Sequence, residues 1–367
     1  MAANGVLKAF VSGYPRNGNE AHPTELVPFI KRADHLQFVY LASLRLRLPL
    51  SVQLGLADKS KRWIDRCSYS AAKDADIFLC YSGAGLGTMR KLKKQVSPTK
   101  CVVEAVNTHV GVQQQMLIEE YRKIGYAKPL FSAVETERRL EEYSMADAIL
   151  CPSQFVKDSF VAEGFAAESI HVVNYGFTPK DFADVTKAVE TDTFNLLYVG
   201  QIHVRKGLHY LIKAFEAIDH PQKKLRLVGP LTEEPGIDID SLPAGVELVG
   251  VLKGNDLKQA YRDADVFVQP SIEEGLSLVI AEALCEGCPV IATTNTGADE
   301  IIEDGKGGWI VPPQDPSAIA TRLQLLADDS DRLRQAREDA RLAAQAIGGW
   351  NRTESQLMHV LNKIAGN

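Results

Sequence analysis

The sequence alternates short apolar runs with stretches of helical periodicity, and this alternation limits the fold more than any other feature. In the first half, apolar runs bounded by polar or turn residues predict buried strands at residues 7–11, 77–81, 101–106, 148–151 and 170–173. Helices are predicted between them at residues 112–123, 135–143 and 154–163. Strands that alternate with helices predict parallel βαβ units.

The alternation restarts after residues 185–194, whose weak pattern is typical of an interdomain linker. Strands are predicted at 195–199, 224–228, 246–248, 265–269 and 289–292, and helices at 207–218, 255–262, 277–286 and 318–326. A helical tail over 331–364 is interrupted at 348–349. We therefore expect an α/β protein with two doubly wound, Rossmann-like domains facing a central cleft, over residues 1–185 and 186–345, which suits 367 residues.

Composition places the chain among ordinary globular proteins. Hydrophobic residues make up 45% and charged residues 24%, which excludes an intrinsically disordered chain. The longest apolar stretch, residues 38–56, contains Arg45 and Arg47, so no uncharged run approaches the roughly 18 residues of a membrane span. No basic leader precedes an apolar block, and six cysteines are too few for a disulfide scaffold. We expect a cytoplasmic protein.

The formal net charge of −6 is divided unevenly along the chain. Residues 1–185 carry 23 Lys and Arg against 20 Asp and Glu, a net of +3, whereas the remainder carries 18 against 27, a net of −9. The acidic total argues against a general nucleic-acid-binding surface. Two basic clusters in the first half support two interpretations: solvated faces, or a patch for an anionic acceptor or for peripheral contact with the cytoplasmic face of an anionic membrane. The clusters are Arg45, Arg47, Lys59, Lys61, Arg62 and Arg66, and Arg90, Lys91, Lys93, Lys94 and Lys100.

The residues that follow each strand are the first candidates for a site, because ligands of open α/β sheets bind beyond the carboxyl ends of the strands. Gly200 follows the predicted strand 195–199, and Arg205, Lys206 and Gly207 come five to seven residues later. Two cations beside a helix N-terminus suit a diphosphate. The alternative is a solvated basic loop.

A second candidate segment follows the predicted strand 265–269. Glu274 lies on the loop, Gly275 permits close approach of a ligand, and Glu282 comes eight residues after Glu274 on the predicted helix. A nucleotide sugar has hydroxyls at both ends and a diphosphate in the middle. Carboxylates can accept hydrogen bonds from those hydroxyls while cations hold the diphosphate. The alternative is two surface glutamates on an amphipathic helix.

Four motifs, spread from Val199 to about Ala320, together resemble the family 4 retaining glycosyltransferases of the GT-B fold. They are Gly-x4-Arg-Lys-Gly, Pro-Ser-x2-Glu-Gly-x2-Leu-x3-Glu-Ala, Gly-x-Pro-Val-Ile-Ala and Thr-Gly-x2-Glu-Ile-Ile. The resemblance implies that Arg205 and Lys206 hold the donor diphosphate, that Glu274 contacts the donor sugar and that Glu282 binds the ribose hydroxyls. The other donor-binding positions that it implies are Gly200, Leu252, Gly275, Leu276, Ser277 and Leu278.

A third candidate, His109, follows the predicted strand 101–106. A lone histidine is more often structural. The resemblance implies a histidine here near the reacting end of the donor sugar, where it would orient the sugar or stabilise developing charge. His203, beside the phosphate loop, is a secondary candidate. The sequence departs from the family pattern in two places: residues 12–19 lack the usual glycine pair, and Leu276-Ser277 stands where many members have Phe-Gly. The glycine-rich residues 83–87 are predicted to form a turn.

The resemblance implies a retaining hexosyltransferase that uses a nucleotide-diphosphate sugar as donor and needs no cofactor or metal. We find no Asp-x-Asp motif of the type that holds a metal-bound diphosphate, and Cys285-x2-Cys288 is interpreted as structural. The acceptor would be a saccharide, lipid-linked or small-molecule hydroxyl compound, in surface glycan, glycolipid or polysaccharide synthesis. Residues 346–367 would cross back onto the first domain. The alternatives are a GT-B nucleotide-sugar epimerase or phosphorylase, and a non-catalytic nucleotide-sugar-binding subunit.

Overall fold

The structure, a computed structural model, describes residues 1, 5–13, 24–46, 48–125, 132–177 and 192–366. Most of the predicted linker at 185–194 therefore lies outside the described residues, and so does the greater part of the predicted loop at 12–19.

Nine of the twelve strands of the described residues fall close to the predicted ones. The twelve are β1 (Phe10–Ser12), β2 (Ile30–Arg32), β3 (Ile77–Tyr81), β4 (Lys100–Glu104), β5 (Ala148–Cys151), β6 (Ile170–Val172), β7 (Phe194–Val199), β8 (Lys223–Val228), β9 (Val246–Gly250), β10 (Val266–Gln269), β11 (Val290–Thr293) and β12 (Gly308–Val311). The α-helices are α1 (His35–Arg45), α2 (Leu50–Ala72), α3 (Leu86–Lys94), α4 (Val110–Lys123), α5 (Ala133–Met145), α6 (Gln154–Ala162), α7 (Leu208–Ala217), α8 (Gly254–Asp263), α9 (Leu278–Cys285), α10 (Pro316–Ala327), α11 (Ser330–Ala346) and α12 (Trp350–Ala365).

The first main sheet has the order β3-β4-β5-β6, with all strands parallel. Side chains alternate between its faces, as the two-residue period of a strand requires. Val103 packs with Met89 and Phe160 from α3 and α6, whereas Val102 packs with Val360 from α12 on the opposite face. We call this sheet and the helices against it the first unit.

The prediction of a buried strand at residues 7–11 was wrong in its place and its burial. β1 begins at Phe10, which is exposed, and pairs only with β2 in a separate two-stranded parallel sheet. An apolar run does not indicate which sheet a strand joins. Here the end of β1 lies against α2, where a Cβ on Gly13 would stand 2.8 Å from Ile64 Cδ1.

The second main sheet has six parallel strands in the order β12-β11-β10-β7-β8-β9. Leu196 on β7 packs into a core with α7 and α10, and the neighbouring Leu197 packs into a core with α8 and α9. Both faces are therefore covered, which explains why its strands are continuous apolar runs. Strand β12 of this sheet, like β2, was not predicted, because four residues are too short a run to show a clear pattern. We call this sheet with its helices the second unit.

Helices α1 and α2 were not predicted either, because apolar residues on their exposed faces obscure the helical period. The predicted turn at 83–87 is present and leads into α3, a third missed helix. Across the described residues, no helix is both long enough and apolar enough to cross a membrane.

The helical tail is broken at Gly348 and Gly349, as predicted, into α11 and α12. Although α12 follows the second unit in the chain, its Leu357, Val360 and Ile364 pack with the first sheet.

Candidate active site

The loop after β7 places two cations at the carboxyl end of the second sheet. Arg205 and Lys206 form a short 3-10 turn that ends at Gly207, where α7 follows. Gly207 has φ +66°, and a Cβ there would stand 2.2 Å from the carbonyl oxygen of Pro270. Glycine is therefore required for this loop to lie against the loop after β10.

Arg205, Lys206 and Glu274 form a group that we call the charge cluster. Arg205 Nη1 donates to Glu274 Oε2 at 3.0 Å, and the Lys206 ammonium donates to Glu274 Oε1. The Ser271 hydroxyl also donates to Glu274 Oε1, at 3.2 Å. The three charged side chains are only 12–21% exposed. The structure thus brings together three of the four residues predicted to be catalytic.

Burial and charge act in opposite directions on the charge cluster. Burial would raise the pKa of Glu274, but Arg205 and Lys206 outweigh it and lower this pKa below its usual value. Burial lowers the pKa of Lys206, although Glu274 partly opposes that shift. Glu274 therefore stays ionised at neutral pH as the counterion of both cations.

Glu273, which the sequence analysis did not single out, connects the two units. It is fully buried and accepts hydrogen bonds from the backbone N–H of Thr108 at 3.0 Å and from Gln113 Nε2 at 2.8 Å. Asn107 Nδ2 lies 3.3 Å away, and Arg205 Nη1 donates to the Glu273 carbonyl oxygen at 2.8 Å. Two features of the sequence could have indicated this role of Glu273. Glu273 is adjacent to Glu274, and the polar residues Asn107 and Thr108 follow β4.

His109 begins α4 directly beyond Thr108, and the Glu273 bridge therefore brings its loop beside the loop of the charge cluster. The ring is buried against Tyr143, Phe160 and Phe165, with centroid separations of 5.3, 5.1 and 5.7 Å. Burial lowers the pKa of His109, and Glu163, 3.8 Å from Nδ1, opposes this only partly. His109 is therefore neutral at pH 7.

The hydrogen bonds of His109 fix its neutral tautomer. Nδ1 accepts from the backbone N–H of Gly111 at 3.3 Å, so the proton of the neutral ring lies on Nε2. Nε2 has no hydrogen-bond partner within the described parts of the chain. Nε2 is itself buried, so the structure leaves its donor without a partner among the described residues of the aromatic cluster. His203 also uses Nδ1 to accept, from the Arg205 N–H at 3.1 Å, and so shapes the phosphate loop.

Glycine at position 275 was predicted to permit close approach of a ligand, and the structure gives a further reason for glycine there. A Cβ there would stand 1.7 Å from the carbonyl oxygen of Val106, so its small size lets the backbones of the two units approach. The Ser153 hydroxyl donates to the Gly275 carbonyl oxygen at 2.6 Å. Leu276 is half-buried, and the buried Ser277 precedes α9, which begins at Leu278.

Glu282 and Leu252 lie on the same unit but make their contacts apart from the charge cluster. Glu282, on α9, accepts a hydrogen bond from the Tyr261 hydroxyl at 3.1 Å, and burial raises its pKa. Leu252 follows β9 and packs against the core that contains Tyr261. Gly200 begins the loop after β7, and its N–H donates to Val228 at 2.9 Å.

A second buried carboxylate, Glu120 on α4, also joins the units. Its oxygens accept from Tyr210 Oη at 2.8 Å and from Gln314 Nε2 at 2.6 Å, and His209 Nε2 lies 2.7 Å away. Gln314 has φ +61°, a conformation that is uncommon for a residue with a side chain. This contact, like that of Glu273, holds the facing loops at a fixed separation.

The remaining predicted features concern metals and cysteines. Within the described ranges, no group of three or more His, Cys, Asp or Glu side chains could hold a metal ion. Cys285 and Cys288 are buried, and burial raises the pKa of each thiol to about 12. Thiols with such high pKa values are unreactive, which fits a structural role.

A comparison with protein families gives a match over most of the second unit. Residues 193–329 match the family described as "Glycosyl transferases group 1". This range contains the charge cluster, Glu282 and Leu252, so the match covers the predicted donor site.

Curated relatives extend the similarity toward the first unit. Sulfoquinovosyl transferase SQD2 from Arabidopsis thaliana is 31% identical over 247 residues, which are 63% of this chain and 46% of the relative. The putative colanic acid biosynthesis glycosyltransferase WcaL from Salmonella typhimurium is 24% identical over 261 residues, 68% of this chain and 61% of the relative. The chain thus spans about half to three-fifths of the length of these relatives.

Solved structures confirm the predicted GT-B architecture. Sucrose-phosphate synthase from Thermosynechococcus elongatus superposes with a TM-score of 0.62 at 21% identity, covering 84% of this chain and 78% of that one. Anabaena Alr3699/HepE in complex with UDP-glucose superposes with a TM-score of 0.60 at 18% identity and 82% coverage of both chains. The fold is α/β GT-B, with two Rossmann-like units.

Proposed function

We propose that this chain is a retaining glycosyltransferase of the family 4 type. It transfers a hexose from a nucleotide-diphosphate sugar to an acceptor hydroxyl, in surface glycan, glycolipid or polysaccharide synthesis. The observation that carries the proposal is the charge cluster, which lies at the carboxyl ends of β7 and β10. The match to the glycosyltransferase group 1 family over the same residues supports it.

The donor diphosphate would bind at the charge cluster. Arg205 and Lys206 are buried cations at the start of α7, and the peptide dipoles of that helix favour an anion at the same place. The diphosphate would bind the same two cations that Glu274 binds. Glu274 would then also accept a hydrogen bond from a hydroxyl of the donor sugar. The solved complex of HepE with UDP-glucose supports a nucleotide-sugar donor.

The rest of the donor would extend along the second unit. Glu282 would accept from the ribose hydroxyls, and the backbone near Leu252 would meet the base. Gly200, Gly275, Leu276, Ser277 and Leu278 line the path between them. The Tyr261 hydroxyl, 3.1 Å from Glu282, holds the carboxylate in place for this contact.

The reaction would retain the configuration of the donor sugar. The bond from the anomeric carbon to the diphosphate oxygen breaks, and the bond to the acceptor oxygen forms on the same face. The acceptor proton goes to the released phosphate oxygen, so no protein base is required. Arg205 and Lys206 would stabilise the charge that develops on the leaving group together with the N-terminus of α7, and this arrangement would make a metal ion unnecessary.

His109 would orient the donor sugar or stabilise the charge that develops near its reacting end. The acceptor would lie on the first unit, across the cleft from the charge cluster. Glu273 and Glu120 hold the units together in this arrangement, which keeps water from the reacting centre.

Peripheral contact with an anionic membrane at the cytoplasmic face is the second part of the proposal. Helices α1 and α2 expose Phe38, Val39 and Leu54 beside the exposed cations Arg45 and Lys59. Apolar side chains flanked by cations suit a surface of anionic lipid. Sedimentation with anionic vesicles should show binding that salt weakens, and the absence of binding at low salt would reject this part.

A thermal-shift panel of nucleotide sugars tests the donor site without an acceptor. Saturation of a site at a hundred times Kd adds about 2.7 kcal/mol to the free energy of unfolding. We expect at least one nucleotide sugar to raise Tm, and slow release of its nucleotide without acceptor. A panel with no shift would contradict the proposal. Binding without any release would indicate a non-catalytic subunit, and conversion of the donor to an epimer would indicate an epimerase.

A further inference from the structure

The first unit contains a cavity of about 230 Å³ outside the candidate active site, where α3 begins between α2 and α5. Five of its eight lining residues are cations and only one is a carboxylate. The lining residues are Arg62, Asp65, Arg66, Leu86, Gly87, Arg90, Lys91 and Arg138.

The carboxylates around this basic cavity do not neutralise all of its cations. Arg62 pairs with Asp58 at 2.8 Å, and Arg90 pairs with Glu141 at 2.6 Å. Arg66 and Lys91 have no carboxylate partner in the described part of the chain, and the Lys91 ammonium lies 5.0 Å above the Tyr69 ring. The cavity therefore holds excess positive charge.

Asp65 in the cavity lining and Glu142 behind it are buried carboxylates that occupy the backbone donors at the start of α3. Asp65 accepts from the N–H groups of Gly87 at 2.7 Å and Thr88 at 2.8 Å, and Glu142 accepts from Leu86 at 2.8 Å. Arg138 lies between the two carboxylates, 3.1 Å from Asp65 and 3.9 Å from Glu142. The start of α3 is thus closed to an anion, and any anion in the cavity would be held by side chains.

We propose that the basic cavity binds a phosphate-bearing ligand through its phosphate group. Guanidinium groups bind phosphate oxygens in pairs, and an excess of cations over carboxylates in the lining favours a doubly charged phosphate over a carboxylate. Assigning this ligand the role of acceptor rests on the proposed function. The cavity lies on the unit of His109, because Arg138 in its lining belongs to α5, whose Tyr143 ring is 5.3 Å from the ring of His109.

Calorimetric titration with inorganic phosphate tests the cavity directly. UDP at saturating concentration occupies the donor site, and sodium chloride of equal ionic strength is the reference. The double variant Arg66→Gln/Lys91→Gln should bind phosphate at least tenfold more weakly. Lys94→Gln, an exposed change on the same helix outside the cavity lining, should bind as the native chain does. No phosphate-specific heat, or equal binding by the double variant, would overturn the proposal.

Competition distinguishes the two sources of phosphate. Phosphatidylcholine vesicles that contain phosphatidic acid should displace inorganic phosphate if the ligand is a lipid. Displacement by glycerol 3-phosphate alone would indicate a soluble ester. The double variant should bind UDP normally. A native chain that binds UDP but gives no phosphate-specific heat would reject the cavity alone, whereas a native chain that binds no nucleotide would reject the proposed function alone.

Discussion

At the scale of the residue, the charge cluster consists of two cations and one carboxylate, and each of these side chains is less than a quarter exposed to solvent. A buried charge is stable only when it is paired, and here Glu274 serves both Arg205 and Lys206. The same pairing preorganises the two cations for a diphosphate. The free energy needed to orient the two cations is therefore supplied during folding, and no reorientation is needed when the reaction occurs.

Lys206→Ala should lower turnover at least about 100-fold, because the loss of one preorganised charge-stabilising group typically costs that much. The measurement is the rate of nucleotide release from the donor that the thermal-shift panel identifies. Lys224→Ala is the matched control, since Lys224 is an exposed cation on β8. Turnover near the native rate in Lys206→Ala would remove the phosphate assignment.

Nucleotide binding should depend on the ionisation of Glu282. Burial raises the pKa of this carboxyl, with the Tyr261 hydroxyl acting against the shift. The carboxylate that accepts from the ribose is lost as pH falls through the raised pKa, so affinity should decline at a higher pH than for an ordinary Glu. Glu282→Gln should bind about 10-fold or more weakly at neutral pH, the value of a charged hydrogen bond, and lose the pH dependence.

Calorimetry over a pH series provides this comparison, with Glu247→Gln, an exposed change on β9, as the control. A Glu282→Gln variant of native affinity would reject the ribose contact.

At the scale of the element, hydrophobic patterning predicted most of the strands and helices that carry the site. β5 lies where its apolar run placed it, because a strand buried on both faces has a continuous apolar sequence. α1 and α2 were missed because their apolar residues face outward as well as inward, which obscures the helical period. β1 was misplaced because its pairing with β2 depends on contacts distant in sequence.

Local motifs predicted the cations and carboxylates of the site, but not the contacts between units. Gly207 and Arg205 belong to one loop, so sequence spacing was enough to place them. Glu273 acts through Thr108 and Gln113, some 160 residues away in the chain, and no local pattern reveals such a partner.

Glu273→Ala should destabilise the protein by about 3–5 kcal/mol, the usual cost of removing one member of a buried charged group. The Thr108 N–H and the Gln113 amide would lose their acceptor in a buried place. Urea denaturation followed by circular dichroism measures the loss. Glu273→Gln, which keeps one acceptor oxygen, should lose less, and equal native-like stability of both variants would contradict the role of Glu273.

At the scale of the whole molecule, the two units meet at loops beyond their strand ends, and the last helix returns to the first unit. Gly275 lies at this junction. Gly275→Ala would place a methyl group against the Val106 carbonyl oxygen, so the units should separate. Overpacking of this kind costs about 1–3 kcal/mol.

Small-angle scattering should therefore show a larger radius of gyration for Gly275→Ala, together with reduced turnover. Gly55→Ala is the matched control, because a Cβ at Gly55 meets nothing within 4 Å. An unchanged radius in Gly275→Ala would show that close approach of the units does not depend on this glycine.

The stereochemistry of transfer tests the central claim most directly. The donor identified in the thermal-shift panel is incubated with the enzyme and water as acceptor, and proton NMR records the anomer released before mutarotation. If the chain is a retaining glycosyltransferase, the first-formed sugar has the anomeric configuration of the donor. A first-formed sugar of inverted configuration would contradict the same-face reaction at Arg205 and Lys206.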